Sequence, residues 1–219
     1  MPVTERRERR RVALRETILE AARRIVRDDG LRALTMRRIA EAVDYSPASL
    51  YAHFESRESL LAELCLEGLF ALRSALEDAV DGLREPLARL KAAGAAYVRF
   101  ALERPETYRL IFMQDAALTK GVFESVKSDD AARSLAVIVA PLAELRLAGT
   151  LRKSADPARL AELLWTTLHG IASLRLSCPA VFATDDATLI ATAVSTIVDG
   201  SQPRSARSFK TLARRETTS

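Results

Sequence analysis

The segment Thr35–Arg57, TMRRIAEAVDYSPASLYAHFESR, constrains this chain most, because it reads as two short helices joined by a tight turn. Thr35 offers a hydroxyl cap to a first helix whose apolar face is Met36, Ile39, Ala40 and Val43, with Arg37 and Arg38 toward solvent. Ser46 is a second cap, and Pro47 presets the first dihedral of a second helix running to about His53. That helix buries Leu50 and Phe54 and turns Ala48, Ser49, Tyr51 and His53 outward. Small, hydroxylic and aromatic groups are the kind that touch a base edge or a phosphate at close range. The same residues also fit an ordinary helical hairpin whose outer side chains only solvate it, so the flanking sequence has to decide.

Upstream, an amphipathic helix from about Arg11 to Asp29 carries Leu14, Ile18, Ala21, Ala22, Ile25 and Val26 as its buried stripe, with Gly30 at its C-terminal cap. Three helices of this size can close a small core. Before them lie Arg6, Arg7, Arg9, Arg10 and Arg11, then Arg15, an arm too polar to pack and suited to phosphates or a minor groove. The net charge is only +4, yet residues 1–15 hold six Arg against two Glu and residues 201–219 hold five Lys or Arg against one Glu. The middle is therefore acidic, and any non-specific attraction to DNA comes from the ends.

Beyond Arg57 the pattern predicts helix after helix, with Gly and Pro at the breaks. Ser56 caps a long helix over 57–80, about 36 Å in length, with Leu60, Leu61, Leu64, Phe70, Leu76 and Val80 among its apolar positions and Gly68 as a soft point. Further helices are expected near 86–103, 105–114, 119–127, 130–148, 157–177 and 185–199, with Pro141 kinking or dividing the fourth of these. The fold class is thus all-α: a three-helix helix-turn-helix domain followed by an all-helical domain. The expected division is a basic arm (1–11), a DNA-binding domain (12–56), a second helical domain (57–200) and a disordered tail (201–219).

The helix-turn-helix segment strongly resembles the N-terminal DNA-binding domain of TetR-family transcriptional regulators. The matching residues are Ile18 with Ala21 and Ala22, Gly30, Thr35-Met36, Ile39-Ala40, Ser46-Pro47, Leu50-Tyr51, His53-Phe54 and Leu60-Leu61. Asp44 and Tyr45 depart from the glycine and aliphatic residue that the family usually carries in the turn. Asp tolerates left-handed backbone angles, so the turn should survive; Tyr45 can either pack inside or stand near the DNA. The second half resembles family members with a Trp-x-x-x-His-Gly signature, here Trp165, His169 and Gly170. The resemblance implies a homodimer paired through Asp156–Leu176 and Ala187–Val198, a small-molecule pocket, and repression of transcription relieved when an effector enters it.

On these expectations Arg37, Ser46, Pro47, Ala48, Ser49, Tyr51, His53 and Arg57 meet a double-stranded DNA operator, Arg57 through a phosphate. Tyr97, Phe100, Tyr108, Arg109, Phe112, Trp165 and His169 line the effector pocket. Two alternatives stay open there: Trp165 and His169, four residues apart on one helical face, also suit a core Trp with a hydrogen-bonded His, and Arg109 could hold either an anionic effector group or a carboxylate such as Glu106 or Asp115. Cys65 and Cys178 are expected as small core residues, since neither CxxC nor metal-spaced His accompanies them.

With two His and eight Gly, the sequence offers no nucleophile–base pair, metal set or phosphate-binding glycine loop, so neither catalysis nor a cofactor or metal is expected. No apolar run is long enough to span a bilayer, which points to a cytoplasmic protein without a membrane partner. An architectural DNA-binding dimer without a ligand is the alternative to an effector-controlled repressor.

Overall fold

The computed structural model describes residues 3–113, 129–181 and 183–203, and among them every regular element is helical. In chain order these are α1 (Val3–Asp29), α2 (Met36–Ala42), α3 (Pro47–Tyr51), α4 (Arg57–Val80), α5 (Pro86–Glu103), α6 (Pro105–Phe112), α7 (Asp129–Leu147), α8 (Pro157–Ser177) and α9 (Asp186–Gly200), with short 3-10 turns at Leu31–Ala33 and Pro179–Val181. The helix expected over 119–127 and most of the tail, 204–219, lie outside the described residues.

The chain divides into two compact units, Met1–Ala71 with Arg104–Ser128, and Leu72–Glu103 with Asp129–Ser219. Helix α4 contributes to both, so neither unit follows the expected boundary at residue 57.

In the first unit α1 presents Ile18, Leu19, Ala21, Ala22, Ile25 and Val26 to a core completed by Leu34, Met36, Ile39, Ala40, Leu50, Phe54, Leu60, Leu61 and Leu64. Each large apolar side chain removed from water contributes about 1.5–3 kcal/mol, and this cluster is what a helix of five residues such as α3 leans on. Helix α1 ends where Gly30 takes a φ of 80°, beyond the reach of most side-chain-bearing residues. It begins at Val3, eight residues before the expected start: the arginine-rich segment, expected as an arm, forms the first two turns of α1 and is exposed from Thr4 to Ala13. Arg9 pairs with Glu5 and Arg11 with Glu8 along that helix, the spacing that supports an exposed helix.

Helix α6 belongs to the first unit although it comes late in the sequence. Gly68 on α4 makes its seat: a Cβ there would come within 2.8 Å of Thr107 Cγ2 and 3.0 Å of Ile111 Cδ1. Gly68 is a point of close packing and not merely the soft point expected of it. Phe70, expected among the apolar positions of α4, is 55% exposed.

The second unit packs α5, α7, α8 and α9 together. Pro141 is buried inside α7 without dividing that helix. Cys65, in the first unit, is buried as expected, and burial pushes its thiol up to about 11; Cys178 is instead exposed just past α8. Gly94 on α5 lets α8 and α9 approach, because a Cβ at that position would meet Ile190 Cγ2 at 2.7 Å and Leu168 Cδ2 at 3.1 Å. Gly94→Ala gains about 1 kcal/mol of helix propensity but overpacks against a stiff branched side chain, which costs about 1–3 kcal/mol. The expected outcome is a net loss of about 1 kcal/mol, read as a lower denaturant midpoint at unchanged slope. A midpoint at or above that of the parent would show that the α5 contact relaxes freely.

Candidate nucleic-acid interface

The two short helices are each closed by the residue that the sequence nominates. Thr35 stands in extended conformation and its hydroxyl accepts from the Arg38 N–H at 3.1 Å; Ser46 does the same for the Ser49 N–H at 3.2 Å, with Pro47 at the first helical position. Between them Asp44 takes a φ of 57°, the left-handed angle that the turn demands and that Asp tolerates. The turn closes through Tyr45 N–H to Ala40 O at 3.0 Å. The Tyr45 ring is 48% exposed, which settles its position outside the core.

Helix α3 is shorter than expected, ending at Tyr51, but its two faces separate as expected. Leu50 is fully buried and Phe54 is 3% exposed. Outward stand Ser46, Pro47 and Ala48, with Tyr51 at 53% exposure, while Ser49 and His53 are half-buried. The Ser46 and Ser49 hydroxyls lie 2.9 Å apart and hydrogen-bond to each other, leaving acceptor and donor capacity at the start of the helix. Arg37 is exposed and pairs with Glu41 at 2.9 Å, and Arg38 pairs with Asp29 at 2.7 Å. Exposed pairs of this kind contribute little and exchange readily with a competing anion.

Arg57 stands differently from the expected phosphate contact. Its Nε–H donates to Leu34 O at 2.7 Å and its Nη2 to Leu31 O at 3.2 Å, so the guanidinium braces the connector that precedes α2. Arg15, expected in the polar arm suited to phosphates, is instead engaged with the protein itself. That side chain lies over the Phe54 ring, 4.6 Å from its centroid, and makes a two-pronged ion pair with Glu63 on α4. The signal was present: Arg15 falls on the stripe of Ile18, Ala22 and Ile25, where a charge requires a partner.

The residues expected to line one effector pocket divide between the units. In the second, Tyr97 is fully buried, its ring stands edge-on to Trp165 at 5.1 Å and its hydroxyl lies 3.4 Å from His169 Nδ1. Phe100 is also buried, and burial lowers the His169 pKa, favouring the neutral imidazole. In the first unit Tyr108 is buried against half-buried Phe112, ring centroids 5.1 Å apart, and Arg109 pairs with Glu106 one turn back. Asp115, the other partner considered for Arg109, lies outside the described residues.

A capped, proline-started helix carrying hydroxyl and phenol groups on its free face, set on a three-helix core, defines a helix-turn-helix DNA-binding regulator. The comparisons place it more narrowly. The family described as "Bacterial regulatory proteins, tetR family" matches residues 18–64, and "Tetracyclin repressor-like, C-terminal domain" matches residues 90–197. Together these spans cover more than two thirds of the chain, which belongs to the TetR family of transcriptional regulators. Among its relatives are the HTH-type transcriptional regulator YobS of Bacillus subtilis, 32% identical over 103 residues, 47% of this chain and 50% of that protein, and the HTH-type transcriptional repressor KstR2 of Mycobacterium tuberculosis, 34% identical over 102 residues, again 47% and 50%. The chain thus spans about half the length of the curated relatives it matches. A solved protein of unknown function from Rhodococcus sp. RHA1 is 28% identical, with 87% of this chain and 96% of that one covered at a TM-score of 0.73. Family and relatives alike indicate transcription regulation and not catalysis. No helix among the described residues is long and apolar enough to cross a membrane.

Removing the Arg57 guanidinium would leave Leu34 O without its donor. Arg57→Ala should therefore destabilise the protein by about 1–2 kcal/mol, measured by chemical denaturation without DNA, and Arg57→Lys should restore part of the loss. Full stability of Arg57→Ala would return this side chain to the role of a plain DNA contact.

Proposed function

We propose that this chain is a homodimeric repressor that binds a near-palindromic operator and is released by a small apolar or aromatic effector. The observation that carries the reading is the free face of α3, with Ser46, Pro47, Ala48, Ser49, Tyr51 and His53 presented over a buried Leu50 and Phe54. Arg37 adds a cation beside it.

Physics favours two copies. Five helical residues span about 7.5 Å and offer three or four groups to bases, each good contact contributing about 1–3 kcal/mol. Separating an operator from bulk DNA takes about 4–10 kcal/mol, so two half-sites are needed. Support for pairing comes from α8, where Leu163 and Leu174 are 52% and 42% exposed and a Cβ on Gly170, between them in sequence, would meet nothing within 4 Å. A second copy could approach closely there, with α8 and α9 of each chain forming a four-helix bundle. Arg6, Arg7 and Arg10 have no carboxylate partner among the described residues, which suits them to phosphates flanking the bases.

For the effector, Tyr97, Phe100, Trp165 and His169 of the second unit supply aromatic walls with a neutral hydrogen-bonding imidazole. The name of KstR2 as a repressor agrees with negative control. Because α4 contributes to both units, an effector in the second would act on the first through that helix.

Selection from a random duplex pool followed by footprinting tests the reading. The expected result is a protected inverted repeat, a dimer in sedimentation, and at least tenfold weaker operator binding by Tyr51→Ala with random-duplex binding retained. A monomer that holds one asymmetric site tightly would overturn it.

A further inference from the structure

Arg15 is out of place as a surface residue. It occupies the apolar stripe of α1, three, seven and ten residues before Ile18, Ala22 and Ile25, at the level where α3 ends. Its guanidinium does two things at once. One face covers the Phe54 ring at 4.6 Å, and its Nη1 and Nη2 reach the two Glu63 carboxylate oxygens. Phe54 is the third residue past Tyr51, and both its N–H and that of His53 close onto Leu50 O at 2.9 Å. Leu50 is the buried residue of α3 itself. The path from the guanidinium to the reading helix is thus one ring and one hydrogen bond long.

A second rung provides a comparison inside the same pair of helices. Arg23 on α1 bonds Glu67 on α4 at 2.8 and 3.0 Å and Glu16 at 2.8 Å. That rung joins α1 to α4 in the same chemistry, without a ring contact to the helix-turn-helix among the described residues. Among the described residues, it is the rung at Arg15 that reaches Phe54.

We propose that the Arg15–Glu63 pair sets the pose of α3, Arg15 acting as a positioning residue for sequence discrimination and not as a contact to DNA. The planar fork is required, because only a guanidinium can stack on a ring while bonding both oxygens of a carboxylate; a lysine ammonium does one or the other. Glu63 neutralises the cation in place, so the pair adds little to the salt dependence of binding. The inference rests on the regulator reading above.

The test uses the full chain and the operator selected by the parent protein, with random duplex as the second probe. Arg15→Lys and Glu63→Gln should each lower the ratio of operator to random-duplex affinity about tenfold. Arg15→Gln should leave the slope of log affinity against log salt unchanged, and the double variant Arg15→Lys/Glu63→Gln should be no worse than either single one. Phe54→Leu, which keeps an apolar side chain but removes the ring, should show the same loss of discrimination should Glu63→Gln fold poorly. Arg23→Lys is the control, expected to keep the ratio. A salt slope lower by about one in Arg15→Gln would make Arg15 a phosphate contact and overturn the proposal. A lower melting temperature with the ratio intact would overturn it as well. A parent that enriches no sequence sinks the regulator reading and this one with it, whereas a parent that enriches one while the variants keep its discrimination sinks only this one.

Discussion

A helix of five residues cannot hold itself. Nucleating a helical turn in water is unfavourable, and even good helix formers need about a dozen residues before the balance turns, so α3 exists because Leu50 and Phe54 are buried behind it. Every group on its outer face inherits its position from that burial. The caps at Thr35 and Ser46 settle where each helix starts, the left-handed Asp44 settles the angle between them, and the cluster of Ile18, Ile39, Leu50, Phe54 and Leu60 settles how both sit on α1 and α4. Stability and recognition are therefore one problem in this domain: what loosens the inner face of α3 also misplaces the outer one.

Local chemistry was the legible part. Both N-caps, Pro47 at the first position, the turn at Asp44 and the α1 stripe follow from hydrogen-bonding and backbone preferences acting over a few residues, and the structure shows each of them. The free and buried faces of α3 were legible for the same reason. What the sequence hid was long-range or marginal. The start of α1 at Val3 turns on exposed Glu–Arg pairs that barely tip a helix–coil balance. Phe70 and Cys178 look like core residues by type, yet type says nothing of which flank of a helix meets a neighbour. The grouping of α6 with the first unit depends on the missing side chain of Gly68, a vacancy that only coordinates can match to Thr107 and Ile111.

Arginine is where the two levels part most clearly. The sequence presents Arg15, Arg37, Arg38 and Arg57 alike, as cations near a surface that faces DNA. The structure sorts them by partner: Arg37 and Arg38 hold exposed carboxylates, Arg57 holds backbone carbonyls, and Arg15 holds a carboxylate and a ring. Exposed pairs cost little to exchange for a phosphate. A guanidinium that satisfies a backbone carbonyl is harder to withdraw, since Leu34 O would lose its donor.

This sorting bears on how such a domain can carry charge without losing selectivity. Phosphate attraction is blind to sequence, and every free cation near the reading face raises affinity for all DNA together. Arginines bound to Glu63, Leu31 and Leu34 contribute packing and orientation while their charge is neutralised or spent on the protein's own dipoles. On the proposed reading, much of the net attraction would then come from the exposed arginines in the first turns of α1. Affinity and discrimination would, on that reading, rest on different arginines, and either could change in sequence without dragging the other along.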